Sequence, residues 1–351
     1  MKEIRLGMIG AGQIAYQHCK LTSAHPQATV VAVADPSKKR TKRIQDEFNI
    51  PTAYTSADDL IADKDIDAVM IAVPNVFHAP LSLAALRAGK HVLLDKPFAM
   101  NYKEAKQVAD AAKKAKKVFL LGMNQRFQPG AQTIHALAQR KTFGEIYHAK
   151  AYWLRRSGIP TLGTWFCDKK MSGGGAMLDI GVHLLDLCLF VIDNFEPVAV
   201  SAQTFTKFGN RGLGEGGWGM SDKKGKKFDV DDFAMALIKM KNGATVHLEV
   251  SWALHQELNN EHDIRIFGTK AGASAFPAKV FRYGKKKGEY EVVEPQNVKP
   301  VHSAPNRQIN WLNVILKKEK PVCTIQQALA VQKILDAIYK SSETGKEVRI
   351  K

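Results

Sequence analysis

The chain has 351 residues, of which 45% are hydrophobic and 24% charged. That is an ordinary globular balance, with length enough for two domains. A formal net charge of +17 raises the question of a nucleic-acid partner, but the basic clusters are short and scattered: Lys38–Lys42, Lys113–Lys117, Lys223–Lys227, Lys285–Lys287 and Lys317–Lys320. No nucleic-acid-binding motif accompanies them, so they read as solvated surface whose positive field draws anionic cofactors and substrates. The four cysteines, Cys19, Cys167, Cys188 and Cys323, lack metal-site or disulfide-framework spacing. The N-terminus reads as a strand start, and no apolar run approaches membrane-spanning length. The expectation is a cytoplasmic protein with reduced thiols, no metal, no nucleic acid and no membrane.

The first third alternates short apolar runs with amphipathic ones. Strands are expected at Ile4–Ile9, Thr29–Ala34, Ala68–Val73, His91–Leu94 and Val118–Leu121. Helices are expected at Ile14–Leu21, after the second strand up to Phe48, at Phe77–Ala88 with Gly89 as C-cap, and from Tyr102. This βα alternation predicts an α/β fold with a doubly wound parallel sheet. Beyond Gly122 the pattern changes. A helix at Ala131–Gln139 and a strand at Glu145–Leu154 precede a helix at Gly175–Phe190. Strands then dominate, at Val198–Phe205, Phe233–Met240, Ala244–Trp252 and Asp263–Phe267, which predicts a mostly antiparallel sheet. Gly209–Lys227 reads as a long surface excursion, a lid or an oligomer contact. Helices near Asn306–Leu316 and Ile325–Ser341 close the chain. The expected domains are 1–123 and 124–351.

Several motifs carry chemistry. Gly10-Ala-Gly12-Gln13-Ile14-Ala15 follows a strand and opens a helix, the turn that brings a dinucleotide pyrophosphate to a helix N-terminus. Asp35 lies at the distance for an acid that binds ribose hydroxyls, which favours NAD. Lys39 and Arg40 are near enough to meet a 2′-phosphate, which keeps NADP open. Pro74 and Asn75 follow a strand at the ligand-binding edge of the sheet and are candidates for lining the cofactor. His78, just beyond, is a further candidate cofactor contact and suits a helix start better than a catalyst. Asp95-Lys96-Pro97 follows another strand at that edge, and Lys96 is either functional or a surface lysine at a strand end. Asn124 and Arg126 end the last strand, where Arg126 also suits an inter-domain salt bridge. In Ser172-Gly-Gly-Gly-Ala-Met-Leu-Asp179-Ile-Gly-Val-His183, Asp179 and His183 are four residues apart and share a helix face, with Asp186 on the same stripe. A structural histidine with an acid partner is the alternative, and the neighbouring dinucleotide motif favours catalysis.

Gly10-x-Gly12-x-x-Ala15, Asp95-Lys96-Pro97 and Gly173-Gly-Gly-x-x-x-Asp179-x-Gly181-x-His183 together resemble the glucose–fructose oxidoreductase / inositol dehydrogenase / rhizopine-catabolism (Gfo/Idh/MocA) family over nearly the whole chain. Asp95 stands where that family usually has Glu. The resemblance implies a Rossmann domain, a C-terminal α/β domain with an open-faced sheet that makes the homo-oligomer contact of a dimer or tetramer, NAD(P), and a sugar, inositol or polyol substrate. It implies that Lys96, Asp179 and His183 form the catalytic group, with Asp95 beside the cofactor. Asn124, Arg155, Arg156, Trp165 and His255 are candidate substrate contacts. The reaction expected is hydride transfer at a secondary hydroxyl or keto group. Other readings are an anhydro-ketose reductase, an NAD-retaining glycosidase and a non-enzymatic nucleotide sensor.

Overall fold

The computed structural model describes residues 3–220, 225 and 227–350. Its β and α runs fall into two compact units: one of Met1–Gly122, Lys170–Ser172 and Ala304–Gln332, the other of Met123–Lys169, Gly173–Ser303 and Lys333–Lys351. A single cut after residue 123 therefore does not describe the units. The segment from Ala304 returns to the first because its helix carries Trp311 and Leu312, wholly buried in the same core as Leu6, Met8 and Leu93.

In the first unit, strands β1 (Ile4–Ile9), β2 (Ala28–Ala34), β3 (Thr52–Tyr54), β4 (Ala68–Ile71), β5 (His91–Leu94) and β6 (Phe119–Leu121) form a parallel sheet in the order β3-β2-β1-β4-β5-β6. The helices between them are α1 (Gln13–Thr22), α2 (Lys38–Phe48), α3 (Ala57–Ala62), α4 (His78–Arg87) and α5 (Tyr102–Ala115). Strand β4, and β5 after His91, are apolar because helices cover both faces. Local chemistry sets the helix ends. Asn101 caps α5 by accepting from the Glu104 amide at 3.0 Å, and Glu104 reaches back to the Met100 amide.

The second unit opens with α6 (Pro129–Gln139) and β7 (Ile146–Arg155). The short helix α7 (Lys169–Ser172) leads to a π-helical turn at Met177–Gly181 and to α8 (Val182–Ile192). Strands β8 (Pro197–Phe205), β9 (Phe233–Met240), β10 (Thr245–Ser251), β11 (Asn260–Gly268), β12 (Gly272–Ala275), β13 (Ala278–Tyr283) and β14 (Tyr290–Val293) follow. After α9 (Arg307–Ile315) and α10 (Ile325–Thr344) comes β15 (Val348–Arg349). The sheet runs β14-β13-β12-β11-β7-β10-β9-β8-β15, antiparallel except at β7–β10. Helix α8 packs on β7 and β10. On β9 the alternation is strict, with Ala234, Ala236, Ile238 and Met240 buried and Met235 and Leu237 exposed.

The helical run Lys169–Ile192 is long and apolar enough to cross a membrane, against the expectation of no such run, but 89% of its apolar window is buried within the protein. It is the core helix of the second unit. Of the expected excursion Gly209–Lys227, residues 221–224 and 226 lie outside the described residues, as does most of the Lys223–Lys227 cluster. The described part docks: Trp218 donates its indole N–H to the Gly158 carbonyl at 2.8 Å and sits edge-on to Phe166.

Arg307, at the first position of α9, donates to Asp95 Oδ1 at 2.9 Å and to the Gly122 carbonyl. The pair is buried, with His18 Nε2 3.6 Å from Asp95 Oδ2. Burial opposes ionisation of Asp95, but the Arg307 guanidinium outweighs it and holds the carboxyl well below the usual range. A lowered folded-state pKa contributes stability above the unfolded pKa of about 3.9, and that stability is lost as pH falls through the lower folded value. Arg307→Met should destabilise the protein by about 3–5 kcal/mol at neutral pH, because it strands a buried carboxylate. Urea unfolding of Arg307→Met beside an Arg307→Met/Asp95→Asn double variant checks this, with the second change restoring part of the loss.

Candidate functional site

At the end of β1, Gly10 has φ +93°, and a Cβ there would meet the Ala72 carbonyl oxygen at 2.2 Å, so glycine is required by the fold. Gly12 is different. It is the N-cap of α1 with ordinary φ, no side chain caps the helix, and a Cβ would meet nothing within 4 Å. The fold leaves an open cradle over uncapped amides at a ten-residue helix, the shape and polarity that a pyrophosphate needs. Gln13 and Ile14 are exposed at its rim.

Asp35 lies at the end of β2, largely buried. It accepts from the Ala11 amide at 2.9 Å and the Ser37 amide at 2.8 Å, which ties the acid to the glycine turn. Arg40 Nη1 is 3.9 Å from Asp35 Oδ2, and Lys39 is exposed. The carboxylate occupies the place beside the turn, the arrangement for two ribose hydroxyls.

The β4 and β5 loops carry the next residues. Pro74 precedes a 3-10 turn at Asn75–Phe77. Asn75 is buried and donates Nδ2–H to the Ser172 carbonyl at 2.7 Å, so its amide nitrogen is committed to backbone. The His78 ring lies between two backbone carbonyls, Nδ1 at 2.6 Å from Pro97 O and Nε2 at 2.9 Å from Val73 O. Both ring nitrogens are turned to the backbone, so that His78 braces the β4 loop against the loop that carries Lys96. Lys96 is half-buried, and its amide donates to Asp95 Oδ1 at 2.9 Å. Asp95 itself faces Arg307 and His18 inside the unit. It acts as the anchor of the Lys96 turn.

In the second unit, the glycine turn before the π-helical turn is built by packing. A Cβ on Gly174 would meet the Tyr339 hydroxyl at 2.1 Å, and one on Gly175 the Asp231 carbonyl at 1.9 Å. Buried Asp231 accepts from the Gly175 amide at 2.8 Å, the Met177 amide at 2.9 Å and Tyr339 Oη at 2.8 Å. Sequence spacing did not single out Asp231, since nothing local marks an acid fifty residues away as a helix cap.

From Gly174 to Val191 every residue is buried except Asp179 and His183. The helix therefore hides everything but one carboxylate and one imidazole. Asp179 Oδ2 accepts from the wholly buried Trp252 indole at 2.9 Å. Asp186 is not part of an exposed stripe: it is 1% exposed, and Arg126 bonds it through Nε at 2.8 Å and Nη2 at 2.6 Å. The Arg126 guanidinium also lies over Phe190 at 5.0 Å. The expected inter-domain bridge of Arg126 is thus a bridge inside the second unit.

Other candidates scatter. Asn124 opens a 3-10 turn, and its buried Oδ1 has no hydrogen-bond partner among the described residues. Trp165 stacks on Phe166 at 3.8 Å. Arg156 is exposed and donates to the Glu257 carbonyl at 2.9 Å, while exposed His255 sits edge-on to Phe208. Among the described residues no cluster of three or more His, Cys, Asp or Glu could hold a metal. Burial pushes the Cys19 and Cys188 thiols up to about 12, outside nucleophile range.

Comparison with known proteins adds an independent line. Residues 4–123 match the family described as "Oxidoreductase family, NAD-binding Rossmann fold", and residues 131–274 match the "GFO/IDH/MocA C-terminal domain". The D-glucoside 3-dehydrogenase of Escherichia coli (strain K12) is 29% identical over 350 residues, which is 99% of this chain and 97% of that protein. The levoglucosan dehydrogenase of Pseudarthrobacter phenanthrenivorans is 30% identical over 287 residues, 77% of this chain and 73% of its own. The crystal structure of an NAD-binding protein from Listeria innocua has a TM-score of 0.81 at 27% identity, covering 99% of this chain and 97% of its own.

The two glycines separate fold from binding. Gly12→Val should leave thermal stability nearly unchanged yet weaken NAD binding by about tenfold or more, because its side chain fills the cradle. Gly10→Val should lower the melting temperature, since it meets both a positive φ and the Ala72 carbonyl. Differential scanning fluorimetry with and without NAD reads both.

Proposed function

The chain belongs to the Gfo/Idh/MocA oxidoreductase family, and on that footing we propose that it moves a hydride between a nicotinamide cofactor and a secondary hydroxyl or keto group of a sugar, inositol or related polyol. The observation that carries this reading is the helix on which only Asp179 and His183 escape burial. A core helix that exposes an acid and an imidazole, and nothing else, is built for proton handling at one place.

Gly10, Gly12 and the α1 amides would hold the pyrophosphate, and Asp35 the adenosine ribose. When bound, NAD supplies the hydride acceptor at C4 of the nicotinamide. During oxidation the carbinol carbon loses its hydride and the hydroxyl its proton. His183 takes that proton, as imidazoles exchange protons near neutral pH. Asp179, fixed by Trp252, orients the substrate hydroxyl or the imidazole. Lys96 steadies the oxygen as negative charge develops on it. The bracing of the Lys96 turn by Asp95 and His78 supports this role, because a proton-handling group needs a fixed backbone.

The substrate is thus small and hydroxylated. The four buried free thiols support a reducing compartment, and we place the protein in the cytoplasm. Exposed Phe205, Met235, Leu237 and Phe267 on the second sheet support self-association into a dimer or tetramer through that face. Leu237→Glu should shift the sedimentation coefficient toward a monomer.

Lys96→Ala and His183→Ala should each lower kcat by at least about a hundredfold while NAD binding stays near wild type. A panel of glycosides, inositols and anhydro-sugars, followed at the nicotinamide absorbance, reads this. Near-normal rates in both variants would overturn the assignment. Tightly retained NAD with no net absorbance change would favour the glycosidase reading.

A further inference from the structure

Arg155 is the last residue of β7, where Trp153 and Arg155 continue the face of buried Ala149 and Ala151 on which α8 packs. Its guanidinium lies over the Trp153 ring, 4.7 Å from the centroid. Its stem runs against Gly158, where a Cβ would come within 2.5 Å of Arg155 Cδ. The side chain is therefore held in one pose by a glycine on one side and an indole on the other. Among the described residues, no hydrogen bond or ion pair engages that guanidinium. Burial pushes its pKa below the ordinary value, and the Asp179 carboxylate opposes that shift. Arg155 thus lies within electrostatic reach of the same acid that the proposed function uses, and the His262 ring, tilted 32° to the Trp153 ring at 5.2 Å, borders it.

A guanidinium stacked on an aromatic ring keeps its in-plane N–H groups free at the edge, the geometry that receives both oxygens of a carboxylate. Partly desolvating an arginine with no acceptor carries a cost that a neutral hydroxyl repays poorly. The chain's net charge of +17 favours an anion further. We propose that Arg155 is a carboxylate subsite and that the substrate is a sugar acid: a pyranoside or polyol with one carboxylate, seated on Arg155 while its secondary hydroxyl meets Asp179. This rests on the sugar-dehydrogenase reading above.

The test compares matched pairs, methyl glucoside with methyl glucuronide and glucose with glucuronate, by NADH formation. The wild type should show a kcat/KM about tenfold or more higher for the acid of a pair. In Arg155→Met the acid-over-neutral ratio should fall by about tenfold, and Arg155→Lys should restore part of it. A wild-type preference for the neutral member, or an equal loss on both members in Arg155→Met, would overturn the subsite. Arg155→Gln, checked for wild-type melting and NAD binding, guards against a folding defect. If no pair is turned over, the hydride reading fails separately. Calorimetric titration of glucuronate into the NAD-loaded protein then decides the subsite: binding lost in Arg155→Gln supports it, and no binding to the wild type overturns it.

Discussion

The buried pairing of Asp95 with Arg307 is the constraint on which the first unit turns. The carboxylate sits at the carboxyl edge of a parallel sheet, between a strand that ends and a lysine that must be held still. Left alone it would be an expensive buried charge. Arg307 meets it, bonds the Gly122 carbonyl as well, and contacts His18 on α1. One guanidinium so links the cofactor helix, the Lys96 turn and the last strand of the sheet. The shorter Asp in place of the usual Glu is served by an arginine that reaches in to it.

The second unit solves a different problem. It must bury a helix that is almost wholly apolar and still present two polar groups. The π-helical turn at Met177–Gly181 falls at that place, with Asp231 binding the free amides before it. Trp252 fixes Asp179 from β10's far end, and Arg126 neutralises Asp186 one layer down. Polar residues that look alike along the sequence have thus been sorted by burial into one that packs and two that face outward.

Much of this was legible from spacing. Strands β1, β5 and β9 lie where the apolar runs placed them, because a strand buried on two faces or strictly alternating leaves a strong pattern. The glycine turn, Asp35, Lys96, Asp179 and His183 were all marked by local context. What could not be read was long-range. Arg307 and Asp95 are separated by 212 residues, and Tyr339 and Asp231 by 108. The same blindness made Arg126 look like an inter-domain group, since only folding shows that its partner Asp186 belongs to the same unit. Short strands such as β3 and β15 carry too few residues for a period to register.

The position of Arg307 bears on how the molecule is made. The first unit begins at the N-terminus, yet the residue that neutralises its buried acid and the tryptophan that fills its core belong to the stretch from Ala304 to Gln332. On the ribosome, the nucleotide-binding half must wait with an unanswered charge until the stretch that carries Arg307 has emerged. The first unit therefore cannot finish its core from its N-terminal residues alone, and its completion follows synthesis of the stretch from Ala304 to Gln332.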